Sequence, residues 1–259
     1  MKILVCVKQV PESETAIHIK EDGSWIDMDG FDEFKMNRLD EFAVEEAIRI
    51  KETLSDVCID VISVGPDRSA DVIRRSIGMG ADNGVHIVHE DESHLSPASI
   101  AAWIAQYAKR HDYTLILTGA MSEDCMNGQT GPMIAAHLGL PCATGVIFEK
   151  VASDEKTIYV EREIEGGKRN TLELDLPAVL TIQSGNNIPR YPVLSKLLKA
   201  NKQELEIIES SSQIQPATGE YIFRVDHPQK SRAGTVLEGS QQEKARALLQ
   251  ILRDKALIE

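Results

Sequence analysis

The chain has 259 residues, of which 42% are hydrophobic and 27% are charged, and its formal net charge is -13 at pH 7. This composition is typical of a globular protein that is long enough to bury a substantial core. The acidic balance excludes a nucleic-acid binder that depends on a basic face, and no apolar run reaches the roughly 18 residues of a membrane span.

Apolar, β-branched runs alternate with helical patterns along the first part of the chain. The predicted strands are KILVCVK (2–8), VCIDVISVG (57–65), NGVHIVHE (83–90), YTLILTG (113–119) and PCATGVIFEK (141–150). The predicted helices lie between them, at 37–54, 67–80, 97–111 and 128–139. This alternation predicts an α/β fold with a doubly wound, mostly parallel sheet.

The alternation of predicted strands and helices ends in the second part of the chain. The segment TIYVEREIEGGKRNTLELDLP (157–177) reads as two alternating strands around Gly166-Gly167, which predicts a hairpin. One more buried-type strand, PAVLTIQSG, follows. From residue 188 we expect an extended, basic, loop-rich arm that ends in an amphipathic helix. The predicted division is therefore an α/β domain at 1–187 and a C-terminal extension at 188–259.

The four cysteines predict reduced thiols. They are scattered and form no CxxC pair, so neither a disulfide framework nor a zinc site is indicated. The N-terminal MKILVCVKQV lacks a small-residue cleavage site and predicts a first strand rather than a signal peptide. We therefore expect a cytoplasmic protein.

The segment TGAMSEDCMNGQTGPMIAAHLG (118–139) is the strongest candidate for a ligand site. In an open parallel sheet, ligands bind beyond the carboxyl ends of the strands, and this segment follows one. We expect its helix to begin near Asn127-Gly128 and to offer free N–H groups and a positive dipole end to an anion. No lysine is present, so the segment is not a Walker loop. The alternative is a capped helix start after a long turn.

Other patterns do not indicate catalysis. The histidines form no metal-binding spacing, and we expect His86 and His89 to be solvated side chains on opposite faces of a strand. No Ser-His-Asp or Cys-His grouping is recognisable. The hairpin places Glu161, Glu163 and Glu165 on one face, where they repel one another unless a basic group lies opposite. This pattern fits either a solvated edge or a docking surface for an arginine of another chain.

Eight segments occur in an order and spacing that together resemble one family, the β subunit of electron transfer flavoprotein. The likeness covers about residues 1–205. The segments are ILVCVKQVP, FKMNRLDEFAVEEAIRIKE, VISVGP, IRRSIGMGAD, GQTGPMIAAHLGLP, VEREIEGG, LPAVLTI and IPRYPVLSKLLKA.

The resemblance implies a Rossmann-like, adenine-nucleotide-binding domain in a heterodimer with an α subunit, which carries most of the FAD. Such a complex takes electrons from a dehydrogenase, commonly of the acyl-CoA dehydrogenase type in fatty acid oxidation. It passes them to a downstream, quinone-linked oxidoreductase. The β subunit is then an electron-carrier subunit without catalytic residues of its own, without a resident metal and without direct membrane insertion, and it holds a structural AMP.

The family's AMP site can be carried over onto this sequence. The backbone near Cys6 and Val64 would hold adenine, and Gln129 and Thr130 would hold the phosphate together with helix N–H groups. The expected nucleotide-binding residues are Cys6, Asn37, Arg38, Leu39, Asp40, Val64, Gly119, Asp124, Asn127, Gly128, Gln129 and Thr130.

Two partner-binding features also carry over. Glu163 matches the family glutamate that pairs with an α-subunit arginine near the flavin. The segment RYPVLSKLLKA (190–200) matches the loop that recognises the donor dehydrogenase, with Leu194 as its anchor. The expected partner-binding residues are Glu163, Arg190, Tyr191, Leu194 and Lys196.

The candidate loop departs from the family pattern, which is close to GKQAIDDDCNQTG. Ala120-Met121 replaces a Lys-Gln pair, and Gly128 replaces an asparagine that helps to bind phosphate. One alternative is therefore a bifurcating subunit, in which a second FAD takes the place of AMP and receives hydride from NADH. Pro132 is common in that subclass, whereas the EREIEGG hairpin favours AMP. Another alternative is a lone adenine-nucleotide sensor of the universal-stress type.

Overall fold

A computed structural model describes residues 1–12, 16–28, 31, 33–90, 95–185, 187–210, 222–228 and 234–258. The chain divides into two compact units, Met1–Val225 and Asp226–Glu259. In the described residues the helices are α1 (Arg38–Thr53), α2 (Ala70–Met79), α3 (Pro97–Ala108), α4 (Thr130–Leu138), α5 (Leu194–Ala200) and α6 (Gln241–Asp254). The strands are β1 (Lys2–Cys6), β2 (Gln9–Pro11), β3 (Phe34–Met36), β4 (Cys58–Gly65), β5 (Asn83–Val88), β6 (Leu115–Gly119), β7 (Cys142–Val151), β8 (Thr157–Ile164), β9 (Lys168–Asp175), β10 (Ala178–Ile182) and β11 (Glu206–Glu209).

The described strands of the first unit form a nine-stranded sheet in the order β11-β5-β4-β1-β6-β10-β7-β8-β9. Neighbours are parallel from β11 to β7, and β8 and β9 extend the sheet with antiparallel pairings. The chain builds outward from β1 through β4 and β5, and then crosses to the other side of β1 to form β6. This mostly parallel α/β architecture confirms the fold class expected from the sequence.

Alternating side chains of the strands pack into two apolar layers on opposite faces of the sheet. In β1, Ile3 and Val5 belong to the layer that holds α1 and α2. Leu4 and Cys6 belong to the layer that holds α3 and α4. The period of two in a strand distributes consecutive apolar residues to both faces. This is why KILVC is an almost continuous apolar run.

The helices α1 and α3 begin within one residue of their predicted starts. Asn37 is the residue before α1, and Ser96 precedes α3 with Pro97 at its first position. The Ser96 hydroxyl accepts a hydrogen bond from the Ser99 amide at 3.2 Å, which satisfies one of the free donors of the first turn. Asn37 does not cap its helix with its side chain, which leaves that side chain available for another role.

The segment after residue 188 is more regular than the sequence suggested. The predicted loop-rich arm contains α5 and β11, and β11 pairs in parallel with β5 at the edge of the sheet. The expectation of an irregular arm here is therefore wrong. The four residues of β11, EIIE, are too few to show a recognisable period.

His86 is also placed differently from its prediction as a solvated side chain. It is buried in β5, and its Nε2 lies 3.0 Å from the carbonyl oxygen of Gly65 at the end of β4. A histidine becomes favourable inside a sheet when a backbone carbonyl provides a hydrogen-bond partner. His89 follows the strand, and its Nδ1 lies 2.9 Å from the Ser210 hydroxyl.

The second unit is built around α6. Ser240 and Glu243 form a capping box, in which the Ser240 hydroxyl accepts from the Glu243 amide and the Glu243 carboxylate accepts from the Ser240 amide. The apolar side chains Leu248 and Leu249 of this helix are exposed.

Among the residues that the structure describes, no helix combines the length and the apolar character needed to cross a membrane.

A pair of carboxyl groups lies between α1 and the sheet. Glu46 of α1 is buried, and its Oε1 accepts hydrogen bonds from Arg49 at 3.0 Å and from Asn187 at 2.7 Å. Glu149 of β7 lies against it, and burial next to the Glu46 carboxyl raises the pKa of Glu149 well above that of an ordinary carboxyl. Two adjacent carboxyl groups cannot both ionise cheaply away from water, so Glu149 keeps its proton in the folded protein.

This pair predicts a change in how stability depends on pH. Glu149 stays protonated in the folded state but ionises in the unfolded state above its ordinary pKa, so it lowers stability progressively as the pH rises. Glu149→Gln is neutral at every pH and can still donate a hydrogen bond to Glu46. We expect the Tm of the variant to fall less than that of the wild type between pH 5 and pH 9. Thermal unfolding at several pH values, with the exposed Glu238→Gln as control, measures this. Parallel curves for Glu149→Gln and the wild type would contradict it.

Candidate functional site

A cavity of about 200 Å³ opens at the carboxyl ends of β1, β4 and β6, where the order of the strands reverses. At or next to these strand ends, the cavity is lined by Cys6, Val64 and Gly119. One wall is apolar and comes from α3 and the residues before it. That wall consists of Leu95, Pro97, Ile100 and Ile104.

The carboxylate of Asp40 lies at the base of the cavity and joins two strand ends. Its Oδ2 accepts a hydrogen bond from the Lys8 amide at 2.8 Å, and its Oδ1 accepts one from the Gly119 amide at 3.0 Å. Burial raises the pKa of Asp40 to about 7, although these N–H donors favour the charged carboxylate. The side chain therefore holds β1 and β6 in register at the site.

Gly119 is required by this arrangement. A Cβ atom at this position would lie 2.3 Å from Oδ1 of Asp40 and 2.9 Å from the carbonyl carbon of Leu39. These separations are far below van der Waals contact, and the second atom belongs to the backbone of α1 and has little freedom to move. Only glycine lets the start of α1 approach β6 this closely.

The loop between β6 and α4 is held by side chains from two other segments. The Asn37 Nδ2 donates to the carbonyl of Met121 at 3.0 Å, and its Oδ1 accepts from the amide of Glu123 at 3.0 Å. The Lys8 ammonium lies 2.6 Å from Oδ2 of Asp124. Burial opposes ionisation of Asp124, but this ammonium lowers its pKa below the ordinary value. Asn37 therefore binds the loop that surrounds the cavity instead of capping its own helix.

The start of α4 differs from the predicted position. The helix begins at Thr130 with Gln129 as its cap residue, so the prediction of a start near Asn127-Gly128 is wrong. Gly128 lies before the helix at φ 62°, a left-handed conformation that breaks the helical pattern. Asparagine, which the family pattern has at this position, is one of the few other residues that adopt this conformation readily.

The N-terminal end of α4 faces the cavity, which Gln129, Thr130 and Gly131 line. Its first N–H groups have no partner within the helix, and the helix dipole adds positive potential there. A Cβ atom on Gly131 would lie 2.5 Å from Cγ2 of Thr181 and 2.8 Å from Oγ1 of Thr118. This glycine therefore allows the end of the helix to lie directly on β6 and β10.

The cavity has the chemistry of a site that can bind a ligand. Burial raises the pKa of the Cys6 thiol, with a smaller contribution from Asp40, so this thiol is a weak nucleophile. The ammonium of Lys8 is paired with Asp124. Among the described residues, no group of three histidine, cysteine or acidic side chains could hold a metal ion. An apolar wall next to free N–H groups suits a ligand with a flat apolar ring and an anionic group.

The structure brings most of the predicted nucleotide-binding residues together and leaves two apart. Arg38 and Leu39, in the first turn of α1, do not line the cavity, and Leu39 packs against the core instead. The predicted residues that line it are Cys6, Asn37, Asp40, Val64, Gly119, Asp124, Asn127, Gly128, Gln129 and Thr130.

Several lining residues were not among the predicted site residues, and three of them are Lys8, Arg68 and Trp25. Lys8 and Arg68 each follow a strand that ends at the cavity, so the rule that ligands bind beyond strand ends could have found them. Trp25 also lines the cavity. It lies in a segment whose only regular pairing is the bridge between Ile19 and Ile26 among the described residues, and no sequence period marks such a segment.

A second, polar cleft of about 330 Å³ lies beside the hairpin of β8 and β9. Glu163 is exposed and lies opposite Arg169 in the antiparallel register, and a guanidinium nitrogen of Arg169 lies 3.5 Å from Oε2 of Glu161. The basic partner that the row of glutamates requires is thus present in the same hairpin. Ser184 and Gly185 complete the cleft from the end of β10.

The predicted partner-binding residues near position 190 divide into two groups. Tyr191 and Leu194 are 87% and 70% exposed, and Lys196 is also exposed. Leu194 is the first residue of α5 rather than part of a loop. Arg190, in contrast, lies against α1, where its guanidinium is 2.8 Å from Glu45 and 2.6 Å from Glu52.

Comparison with known proteins identifies the family of the chain. The electron transfer flavoprotein domain matches residues 30–213. The chain is 34% identical to the electron transfer flavoprotein subunit beta of Methylophilus methylotrophus over 98% of both chains. The chain belongs to the electron transfer flavoprotein β-subunit family. Its likeness to other members is similar, with 35% identity to the bovine and 34% to the human subunit beta over 92% of this chain and 93% of each relative.

The Asp40 bridge predicts a large effect of a small substitution in this family member. Asp40→Asn keeps the shape of the side chain but replaces one of the two accepting oxygens by an amide NH2 group, which faces a backbone N–H donor. We expect a loss of about 1–3 kcal/mol in the free energy of unfolding, because one buried donor loses its acceptor. Denaturant unfolding near pH 4, close to the ordinary pKa of an aspartate, measures this, because at higher pH the raised pKa of about 7 makes ionisation of the buried wild-type carboxyl costly and would offset the loss. The exposed Asp112→Asn serves as control, and equal midpoints for Asp40→Asn and the wild type would refute the bridging role.

Proposed function

We propose that the chain is the β subunit of a heterodimeric electron transfer flavoprotein. In this proposal, FAD bound mainly by an α subunit takes up electrons from a dehydrogenase of the acyl-CoA dehydrogenase type. The electrons then pass to a downstream, quinone-linked oxidoreductase. The observation that carries the proposal is family membership along nearly the whole chain. The electron-transfer chemistry itself is that of the flavin.

We further propose that the cavity at the ends of β1, β4 and β6 binds AMP as a structural ligand. The residues there fit such a group. Ile100 and Ile104 offer an apolar wall to adenine, and the N-terminal end of α4 offers N–H groups to the phosphate. The raised pKa of Cys6 and the pairing of Lys8 with Asp124 fit a ligand that does not react.

In this proposal the chain's own residues bind and position. Asp40 and Gly119 keep two strands close together, and Asn37 and the Lys8–Asp124 pair fix the loop that would surround the phosphate. A ligand that contacts both strand ends and this loop would stabilise the folded subunit by mass action. The unit 226–259 and the arm would then serve partner contacts, with Glu163 facing an arginine of the α subunit.

A second FAD in place of AMP is the second candidate function. Pro132, in the first turn of α4, is the observation that favours it, because proline at this position resembles the bifurcating members of the family. In such a subunit NADH would reduce the flavin in the cavity. The hairpin EREIEGG resembles the members that hold AMP and favours the first candidate.

Nucleotide content separates these candidates. We expect the purified heterodimer to release one FAD and one AMP after denaturation, as measured by chromatography and absorbance. Two FAD and no AMP, together with rapid reduction by NADH, would replace the AMP proposal by the bifurcating one. A stable homodimer that holds an adenine nucleotide and purifies without any flavin-bearing partner would contradict both and favour a sensor.

The exposed Leu194 predicts a selective effect on electron uptake. One apolar side chain on an exposed helix end can dominate a protein interface. We expect Leu194→Ala to raise the KM for the donor dehydrogenase about tenfold or more, which corresponds to at least about 1.4 kcal/mol of binding free energy. The AMP and FAD content should stay the same. Steady-state reduction by the donor measures this, and an unchanged KM would show that the donor binds elsewhere.

A further inference from the structure

Residues 187–203, here called the arm segment, cross the outer surface of α1 and α2 on the first unit. Most of its large apolar side chains point away from the protein, and among these are the two predicted donor contacts, Tyr191 and Leu194. The exposed apolar side chains of the segment are Ile188, Tyr191, Val193, Leu194 and Leu198.

The N-terminal part of the arm segment is hydrogen-bonded to α1. The Asn187 Nδ2 donates to the carbonyl of Phe42 at 3.0 Å and to Glu46 at 2.7 Å. The Arg190 amide donates to Oε2 of Glu45 at 3.0 Å. Its guanidinium donates to both oxygens of Glu45 through Nε and through a terminal nitrogen. The backbone and the side chain of one residue thus bind a single carboxylate.

The same guanidinium also binds Glu52, about two turns further along α1. Its two terminal nitrogens lie 2.6 and 3.1 Å from the two oxygens of Glu52, and these hydrogen bonds lower the pKa of Glu52 below its ordinary value. Glu45 is only 5% exposed. A planar guanidinium that is shared by two carboxylates, one of them buried, is a strong and directional contact.

The C-terminal part of the arm segment packs against α2 and is hydrogen-bonded to it. A Cβ atom on Gly78 would lie 3.1 Å from Pro192 and 3.3 Å from Leu197, so this glycine lets the segment approach the helix closely. Arg74 donates to the carbonyls of Ala200 at 2.7 Å and Gln203 at 3.1 Å. The exposed apolar side chains therefore lie between two fixed points.

The direction of its hydrogen bonds distinguishes Arg190 from the neighbouring cations. The Arg190 donors point inward to Glu45 and Glu52, whereas Lys196 lies on the exposed side of α5. A partner protein that contacted Arg190 directly would have to compete with two carboxylates of its own chain. Fixing a loop in its bound conformation before binding removes part of the entropy cost of association.

We propose that Arg190 is a positioning residue, which holds the arm segment against Glu45 and Glu52 so that its apolar side chains are already ordered when the electron donor binds. This assignment differs from a direct partner contact, which the sequence suggested for Arg190. It rests on the proposed function of the arm segment as the donor-docking surface.

Hydrogen exchange of the full-length chain in its heterodimer tests the ordering directly and needs no donor. We expect Arg190→Met to speed exchange of the amides at 194–201 at least tenfold. Glu52→Gln, which removes an exposed partner and leaves Glu45 paired, should have a smaller effect in the same direction. Arg75→Met is a matched control that should leave these rates unchanged. Arg75 also binds an α1 carboxylate, that of Glu41, but it does not belong to the arm segment.

Steady-state kinetics with an acyl-CoA dehydrogenase as donor test the consequence. We expect Arg190→Met to raise the KM for the donor about fivefold or more and to leave kcat within about twofold, because the docked complex is the same once formed. Arg190→Lys keeps the charge but loses the planar fork, so it should restore the KM only in part.

Three outcomes would overturn the proposal, and they are distinguishable. Unchanged exchange in both Arg190→Met and Glu52→Gln would show that the contact does not order the arm segment. Faster exchange with an unchanged KM, while Leu194→Ala raises the KM, would leave Arg190 a purely structural role. An unchanged KM in Leu194→Ala would remove the docking function itself, and the positioning role with it, whatever the exchange rates are.

Discussion

The two hydrogen bonds that Asp40 accepts from Lys8 and Gly119 are the contacts on which the site depends. β1 and β6 are parallel neighbours in the sheet, with Cys6 opposite Thr118, so their pairing already aligns their ends. The carboxylate at the start of α1 links the segment after β1 to the last residue of β6 and attaches both to the helix. It works only because Gly119 has no side chain and because Asn37, three residues earlier, holds the following loop.

Sequence patterns predicted the parts of this structure that depend on local periodicity. Alternation of apolar strands and amphipathic helices was sufficient for the α/β fold, and serine and proline at 96–97 were sufficient for the start of α3. The place of the cavity followed from a topological rule, that ligands bind beyond the ends of parallel strands. The resemblance to a family then selected residues, most of which the structure brings to that place.

The contacts that the sequence did not reveal are those between segments that lie far apart in the chain. β11 is recognisable only from its pairing with β5, and the buried position of His86 depends on a carbonyl 21 residues away. Arg190 was predicted to contact a partner protein, and no sequence pattern paired it with Glu45 and Glu52 of its own chain. Whether a side chain is buried or ion-paired depends on the residues that pack against it in the folded protein. A sequence pattern within one segment does not reveal those residues. Gly128 similarly ended the expected first turn of α4, because its left-handed backbone does not continue into a helix.

The position of β10 between β6 and β7 has a consequence for synthesis of the chain. Every residue that lines the cavity has been made by residue 131, yet β6 has an open edge until residues 178–182 pair with it. β7, β8 and β9 leave the ribosome earlier, but they are connected to the rest of the sheet through β10. During translation the cavity therefore has all its described lining residues well before β10 pairs with β6 and joins the two parts of the sheet, and β11 is added later at the far edge.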